Sequence, residues 1–287
     1  MESPLLSTNP DLKWALHDYE SRSGTQSRHV EFLPGTGNQS YRVDFADESL
    51  VLRLNGDSER LGVDRATEKQ VLAAISNSGI GAQTRLWQER YLVVDFVANH
   101  GQATAVSVAA AMGKLHQLPV PPGPINFTDT PAWTPAQTVR DYLAQSTDVE
   151  PLFSDHLGFL EACNWSSMTQ AICHCDLNPN NILQPTAGGA VFIDWEYARV
   201  GPTAYDIAVY AQTHHLDVVE LNEFLDHYPG APAIESIAVC NFAYKVIEVL
   251  WLSLYEPPKW PIEKLRPIAE RLTAERLALT KSGPRHE

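Results

Sequence analysis

The chain has 287 residues, of which 44% are hydrophobic and 20% charged. At roughly 100–200 residues per domain this is one large domain or two fused lobes with a sizeable core, which excludes disorder, a collagen helix or a coiled coil as the main architecture. A net charge of −14 has the wrong sign for a nucleic-acid footprint. No run of 18 apolar residues is present, so no membrane span is expected. Met1-Glu2-Ser3-Pro4 lacks the basic, then apolar, opening of a signal peptide, and no secretory leader is expected. Cys163, Cys173, Cys175 and Cys240 do not have the spacing of a disulfide framework, so the reduced cytoplasm is the expected compartment. Cys173-His174-Cys175 lacks the second paired element of a zinc site.

In chain order, residues 11–19 carry a short helical pattern within an otherwise polar opening. Strands are predicted over 29–33, 40–45 and 50–54, with the turn cluster Pro34-Gly35-Thr36-Gly37-Asn38 after the first. A helix follows over 64–77, with Val71, Leu72 and Ile75 on one face and Ser78-Gly79 at its end. Two more strands, 84–87 and 91–97, complete a five-stranded antiparallel sheet with one helix inserted after the third strand. The character changes near residue 98. An alanine-rich helix over 103–117 leads into a connector, 118–135, with six prolines. Helices are predicted over 135–145, 155–164, 204–214, 217–227, 234–255 and 261–281. Between them the apolar runs 181–183 and 190–193, joined by a turn at 186–189, form a small hairpin. The expected fold class is α+β with two lobes, 1–98 and 99–287. The lobes carry net charges of −4 and −10, and an acidic second lobe suits a cationic partner, although a solvated acidic surface is the plainer reading.

The densest polar cluster is His174-Cys175-Asp176-Leu177-Asn178-Pro179-Asn180-Asn181, followed by Ile193-Asp194-Trp195-Glu196. An apolar run enters the first group, which leaves through Asn181 into a strand, and another strand delivers Asp194 at its end; this can bring Asp176, Asn181 and Asp194 to one place. Two carboxylates and an amide oxygen form a hard-oxygen set suited to Mg²⁺. Phosphoryl transfer needs such a metal, together with a carboxylate that orients a hydroxyl and accepts its proton. The alternative is that these residues only cap and turn loops. Two such motifs at this separation, after a strand-rich lobe, favour the chemistry. The P-loop and dinucleotide fingerprints are absent, as is the Gly-x-Ser-x-Gly elbow of serine hydrolases.

The run His174-x-Asp176-x-x-x-x-Asn181 with Ile193-Asp194 resembles the aminoglycoside phosphotransferase and choline kinase superfamily, relatives of the protein kinases, over roughly residues 30 to 280. The resemblance implies a bilobal protein-kinase-like fold. It makes Asp176 the catalytic base, His174 a residue that supports the catalytic loop, and Asn181 and Asp194 the Mg²⁺ ligands. It also implies ATP as the phosphoryl donor. Gly35, Gly37 and Asn38 would form the nucleotide loop, Arg53 would contact phosphates and pair with Glu68, and Asp95, Phe96 and Val97 would form the hinge against the base. Arg53 departs from the superfamily's commoner lysine; a guanidinium stays charged and grips phosphate as a fork.

Asp194-Trp195-Glu196-Tyr197-Ala198 is similar to the choline kinase and bacterial thiamine kinase branch. It points to the primary hydroxyl of a cationic alcohol as acceptor, with thiamine slightly ahead of choline and an aminoglycoside next. Trp195, Glu196 and Tyr197 become acceptor-site candidates, with a tethering salt bridge equally open for Glu196. Trp251 and Tyr255 share one helix face with Glu248 and would suit a quaternary or thiazolium nitrogen, although aromatic residues at helical spacing also build cores. A non-catalytic nucleotide-binding relative is disfavoured because Asp176, Asn181 and Asp194 are all present. A protein substrate is disfavoured because 11 residues separate Asp194 from Asp206, too few for an activation loop. The oligomeric state is open.

Overall fold

The computed structural model describes residues 4–35, 37–56, 59–120 and 132–282. Thr36 of the turn cluster and most of the proline-rich connector lie outside the described residues. Five strands, β1 (His29–Leu33), β2 (Gln39–Asp44), β3 (Ser49–Leu54), β4 (Thr84–Trp87) and β5 (Tyr91–Asp95), form one antiparallel sheet in the order β1-β2-β3-β5-β4. Two helices precede it, α1 (Pro4–Thr8) and α2 (Pro10–Ser23). Asn9 caps α2 by accepting from the Leu12 amide, Pro10 opens the helix, and Gly24 closes it at φ 72°, the left-handed conformation glycine adopts without strain.

The period-2 alternation of the strands decides which side chains meet which helix. On one face Leu50, Leu52, Tyr91 and Val93 pack with Val30, Tyr41 and Val43 against Leu12, Ala15, Leu16 and Tyr19 of α2. The other face receives α3 (Arg65–Ile75), whose Val71, Leu72 and Ile75 join Leu92 in the larger core. Arg53 belongs to this second face, set between Leu52 and Leu54 on β3. The sheet is therefore covered on both sides, where the polar opening of the sequence predicts only a short isolated helix.

Beyond β5 the chain is mainly helical: α4 (Ala105–His116), α5 (Pro135–Leu143) and α6 (Glu150–Glu161) come first. The short strands β6 (Gln170–Cys173), β7 (Ile182–Leu183), β8 (Val191–Phe192) and β9 (Arg199–Pro202) pair antiparallel as β6–β9 and β7–β8. The helices α7 (Thr203–Thr213), α8 (Val218–His227), α9 (Ile234–Tyr255) and α10 (Ile262–Ser282) complete the lobe. The β7–β8 pair is the hairpin expected from the sequence; β6 and β9 are additional.

The lobes are joined away from the hinge as well. The Phe192 amide donates to the Ile80 carbonyl at 2.7 Å, and Gly81 bridges Phe192. Helix α9 is long and apolar enough, by length and composition alone, to cross a membrane. It packs against α5, α7 and α10, with Ile237, Phe242, Val246 and Leu250 buried, so the core accounts for its apolarity.

Candidate active site

Strand β6 delivers the loop that carries His174 and Asp176, and one carboxylate on α7 fixes its shape. Asp206, fully buried, accepts from the His174 amide at 2.8 Å and the Cys175 amide at 2.7 Å, and its Oδ2 lies 3.1 Å from His116 Nε2. Cys175 sits at φ 65°, an uncommon conformation for a non-glycine residue that persists only when its surroundings enforce it. The His174 ring is fully buried. Its Nε2 lies 2.9 Å from the Ile193 carbonyl, and its Nδ1 accepts from the Asp176 amide at 3.3 Å. The carbonyl demands an Nε2–H donor and the amide an unprotonated Nδ1, so the ring is neutral, and burial pushes its pKa down. His174 thus ties the Asp176 loop to the strand before Asp194 and stays in the scaffold.

Asp176 is held at both oxygens. Asn178 Nδ2 donates to Oδ1 at 3.0 Å and Asn181 Nδ2 to Oδ2 at 2.8 Å. Burial pushes its carboxyl up to about 7; Asp194 and Glu196 act in the same direction, and the two amide bonds oppose them. A carboxyl raised in this way accepts a proton more readily than an ordinary aspartate does. Asp194 lies just past β8 at φ 62°, and its Oδ1 accepts from Arg53 Nη1 at 3.1 Å.

Arg53 is the centre of a buried charge lattice. Its Nη2 pairs with Glu68 Oε1 at 2.6 Å. Arg65, one turn before Glu68 on α3, reaches Glu68 Oε2 at 2.8 Å and Glu196 Oε2 at 3.2 Å. Asn38 Nδ2 donates to Glu196 Oε2 at 2.7 Å, and Asn38 Oδ1 accepts from Arg65 Nη2 at 3.1 Å. A Cβ on Gly37 would come within 3.2 Å of Glu196 Oε1, so this glycine permits the close approach of the turn cluster to the second lobe. Gly35 lies on the same turn with only the Asn38 carbonyl near it. Arg53 and Arg65 each face two carboxylates and Glu68 faces both arginines, so each buried charge has an opposite charge beside it. Arg65 is absent from the sequence-based site; only its spacing of three from Glu68 pointed to it.

The segment from the end of β5, Asp95 to Val97, makes different contacts. Asp95 pairs with Arg85, the Phe96 ring lies under the Arg42 guanidinium at 4.4 Å, and the Phe96 amide donates to the Ser49 carbonyl at 3.1 Å. The side chains of Asp95 and Phe96 are engaged within the sheet, and the Asp95 amide donates to the Gln83 carbonyl at 2.9 Å.

A cavity of about 270 Å³ opens beside Asp176. Its walls are aromatic: Trp133, Tyr142, Tyr197, Tyr205, Tyr244 and Trp251. Asp176, Asp194, Glu196, Glu248 and Arg199 supply its charges. Trp251 Nε1 donates to the Tyr197 hydroxyl at 2.8 Å, which fixes the two rings against each other. Two acceptor-site expectations are corrected. Trp195 is buried in the core: its ring lies 4.5 Å from that of His174 and its Nε1 donates to the Phe192 carbonyl. Tyr255 stacks on Trp251, ring centroids 4.5 Å apart, and does not line the cavity. Trp133, Tyr142, Tyr205 and Tyr244 reach it from α5, α7, α9 and the connector, a convergence that no local spacing signals.

The donors present suit a divalent metal. Asn181 spends its amide nitrogen on Asp176, and its Oδ1 has no protein donor among the described residues. Asp194 Oδ2 is equally unengaged. With Asp176 this is a hard-oxygen set of the kind Mg²⁺ takes.

A sheet-based lobe over a helical lobe, with a looped carboxylate and a hairpin carboxylate between them, defines a kinase-like phosphotransferase. Residues 29–238 match the phosphotransferase enzyme family, and the chain belongs to it. It is a phosphotransferase. Among solved structures it is similar to choline kinase LicA from Streptococcus pneumoniae, at 17% identity and TM-score 0.72, covering 94% of this chain and 100% of that one. An ethanolamine kinase from Plasmodium vivax gives 18% identity and 0.71 over 92% and 86%. The macrolide 2'-phosphotransferase MphH from Brachybacterium faecium gives 18% and 0.63 over 95% and 99%. No curated protein matches the chain by sequence.

Proposed function

We propose that the chain transfers the γ-phosphoryl group of ATP to the primary hydroxyl of a cationic alcohol of the thiamine or choline kind, thiamine slightly favoured. The observation that carries this reading is the cavity beside Asp176, walled by six aromatic rings and edged by carboxylates. Aromatic faces attract a quaternary or thiazolium nitrogen through their quadrupoles, and carboxylates add the complementary charge. An aminoglycoside, a polycation that acidic walls would also suit, ranks second because Asp194-Trp195-Glu196-Tyr197 is similar to the choline and thiamine kinase branch.

In this reading residues 1–98 hold the nucleotide and residues 99–287 carry the acceptor and the chemistry. Gly35, Gly37 and Asn38 cover the phosphates, Arg53 pairs with them, and the backbone of Asp95 to Val97 faces the base. Asn181 and Asp194 hold Mg²⁺, which neutralises phosphate charge when bound. Asp176 orients the acceptor hydroxyl and takes its proton as the new O–P bond forms. The bond from the γ-phosphorus to the bridging oxygen breaks, and ADP leaves. Glu196, held by Arg65 and Asn38, sets the negative wall between the nucleotide turn and the acceptor, with Tyr197 and Trp251 as its aromatic side. Four free thiols suit the cytoplasm.

The test is acceptor-dependent ADP release with Mg²⁺ and ATP against thiamine, choline, ethanolamine and kanamycin in parallel. Turnover on thiamine or choline supports the reading and chooses between them. Turnover on kanamycin alone contradicts it and moves the chain to the antibiotic branch.

A further inference from the structure

One charge in the acceptor cavity is out of place for a purely cationic ligand. Arg199, at the start of β9, is the sole lysine or arginine among the described residues lining the cavity, facing Asp176, Asp194, Glu196 and Glu248. The arginines around it are paired: Arg53 with Glu68 and Asp194, Arg65 with Glu68 and Glu196, Arg140 with Glu161. Arg199 has no carboxylate partner among the described residues. Its guanidinium donates from Nη2 to the Gly62 carbonyl and lies over the Trp133 ring at 5.6 Å. These two contacts fix the plane of the fork and use one of its five N–H donors. Among the described residues the Gly62 carbonyl is the one protein acceptor of the Arg199 side chain, and no nitrogen of that side chain is buried without a bond. A rigid guanidinium with free donors is built to take a carboxylate or phosphate through two parallel bonds.

The placement also relates this cation to the catalytic base. Arg199 pairs with Cys173 across the β6–β9 ladder, and Asp176 follows three residues after Cys173 on the same loop. The anion-binding fork and the proton acceptor thus sit at one end of the β6–β9 pair, and both line the same cavity.

We infer that the acceptor is a zwitterion: a small hydroxylated amino acid or a related compound whose cationic nitrogen faces the aromatic and acidic walls and whose carboxylate docks on Arg199. The inference rests on the cationic-alcohol reading and narrows it. An acceptor with only a positive charge meets Arg199 as a repulsive element; one with an added anion turns it into a partner and discriminates between them.

The experiment compares acceptors that differ by one carboxylate. Serine is set against ethanolamine and homoserine against 3-amino-1-propanol, with choline alongside, each measured by ADP release and by calorimetric binding in the presence of Mg²⁺ and ADP. The expected result is a kcat/KM for the amino acid at least tenfold above that of its decarboxylated partner. In Arg199→Gln the ratio falls toward one, mainly through a higher KM for the amino acid, and Arg199→Lys retains part of it. The ratio is internal to each preparation, so partial loss of folded protein cancels. If Arg199→Gln does not fold, the wild-type ratio and the lysine variant decide. Turnover of choline or the amino alcohols with no gain from the carboxylate overturns the inference and leaves the cationic-alcohol reading standing. A carboxylate preference that survives Arg199→Gln, or an equal fall in kcat for every acceptor, also overturns it, the latter placing Arg199 at the transferred phosphoryl group. Neither binding nor turnover with any of these acceptors, nor with thiamine, refutes the cationic-alcohol reading itself.

Discussion

At the scale of single residues the site works through pairs that hold each other. Arg53 and Glu68 are both buried and in contact, and Arg53 also reaches Asp194. Removing one partner leaves the other charged and out of water, which costs far more than the pair itself contributes. Arg53→Ala is expected to destabilise the fold by about 3 kcal/mol, toward the lower end of such losses because Arg65 still pairs with Glu68. Urea denaturation measures this; a loss near zero would show that the lattice is not closed in solution. The proposed site residues Asp176, Asn181 and Asp194 were legible in the sequence because they lie in two short polar runs between apolar segments, where local pattern locates them. Arg65, Tyr142 and Arg199 were not legible, because each matters through a contact with residues distant in the chain. Trp195 was misread for a related reason. Its neighbours Asp194 and Glu196 face the site, but the ring turns into the core and packs at a tilt against His174, as alternation along the chain allows.

At the scale of elements, α3 carries Arg65 and Glu68 into the cleft, and its first turn fixes where they point. Asp64 caps it, accepting from the Ala66 and Thr67 amides at 2.9 and 3.2 Å and from the Thr67 hydroxyl at 2.7 Å. Asp64→Ala should cost about 1 kcal/mol, read as a lowered urea midpoint, with kcat falling because the Arg53–Glu68 pair loses its registration. An unchanged kcat at the lower stability would separate the cap from the chemistry. The long strands and helices follow their sequence periodicity closely, since each buries one face. The exceptions have physical causes. Strand β9 reads Arg199-Val200-Gly201-Pro202, where glycine and proline signal a loop. It pairs with β6 all the same, because a Cβ on Gly201 would meet Trp133 at 2.8 Å and only glycine lets that ring close in. Helix α2 looks solvent-exposed by composition, yet the four residues Leu12, Ala15, Leu16 and Tyr19 suffice to roof the sheet.

At the scale of the whole molecule, the larger core runs without interruption from α3 and β5 through α4 to α9 and α10, so the lobes share their packing. His156 sits within it, among α6, α9 and α10, with Nε2 3.3 Å from the Ala269 carbonyl and its ring edge-on to Phe153 and Phe242. Burial lowers its pKa. The folded state therefore keeps it neutral at a pH where the unfolded chain takes up a proton, about 6.5. As pH falls below that value the unfolded state binds more protons, and the stability associated with this residue declines until the folded histidine also titrates. His156→Gln keeps a donor for the Ala269 carbonyl and removes the titration. The gap in Tm between wild type and His156→Gln should therefore narrow from pH 7 to pH 5, and a constant gap would contradict the assignment.

The central claim is that Asp176 activates a small-molecule hydroxyl for phosphoryl transfer, and the most direct measurement is acceptor-dependent ADP release by wild type and Asp176→Asn, with nucleotide affinity measured on both. The account predicts that thiamine, choline or an amino-acid alcohol stimulates ADP release by the wild type. In the variant kcat should fall by about 10²–10⁴, with Mg²⁺–ATP affinity changed no more than a few-fold. ADP release that does not depend on an acceptor, or a variant as active as the wild type, would contradict it.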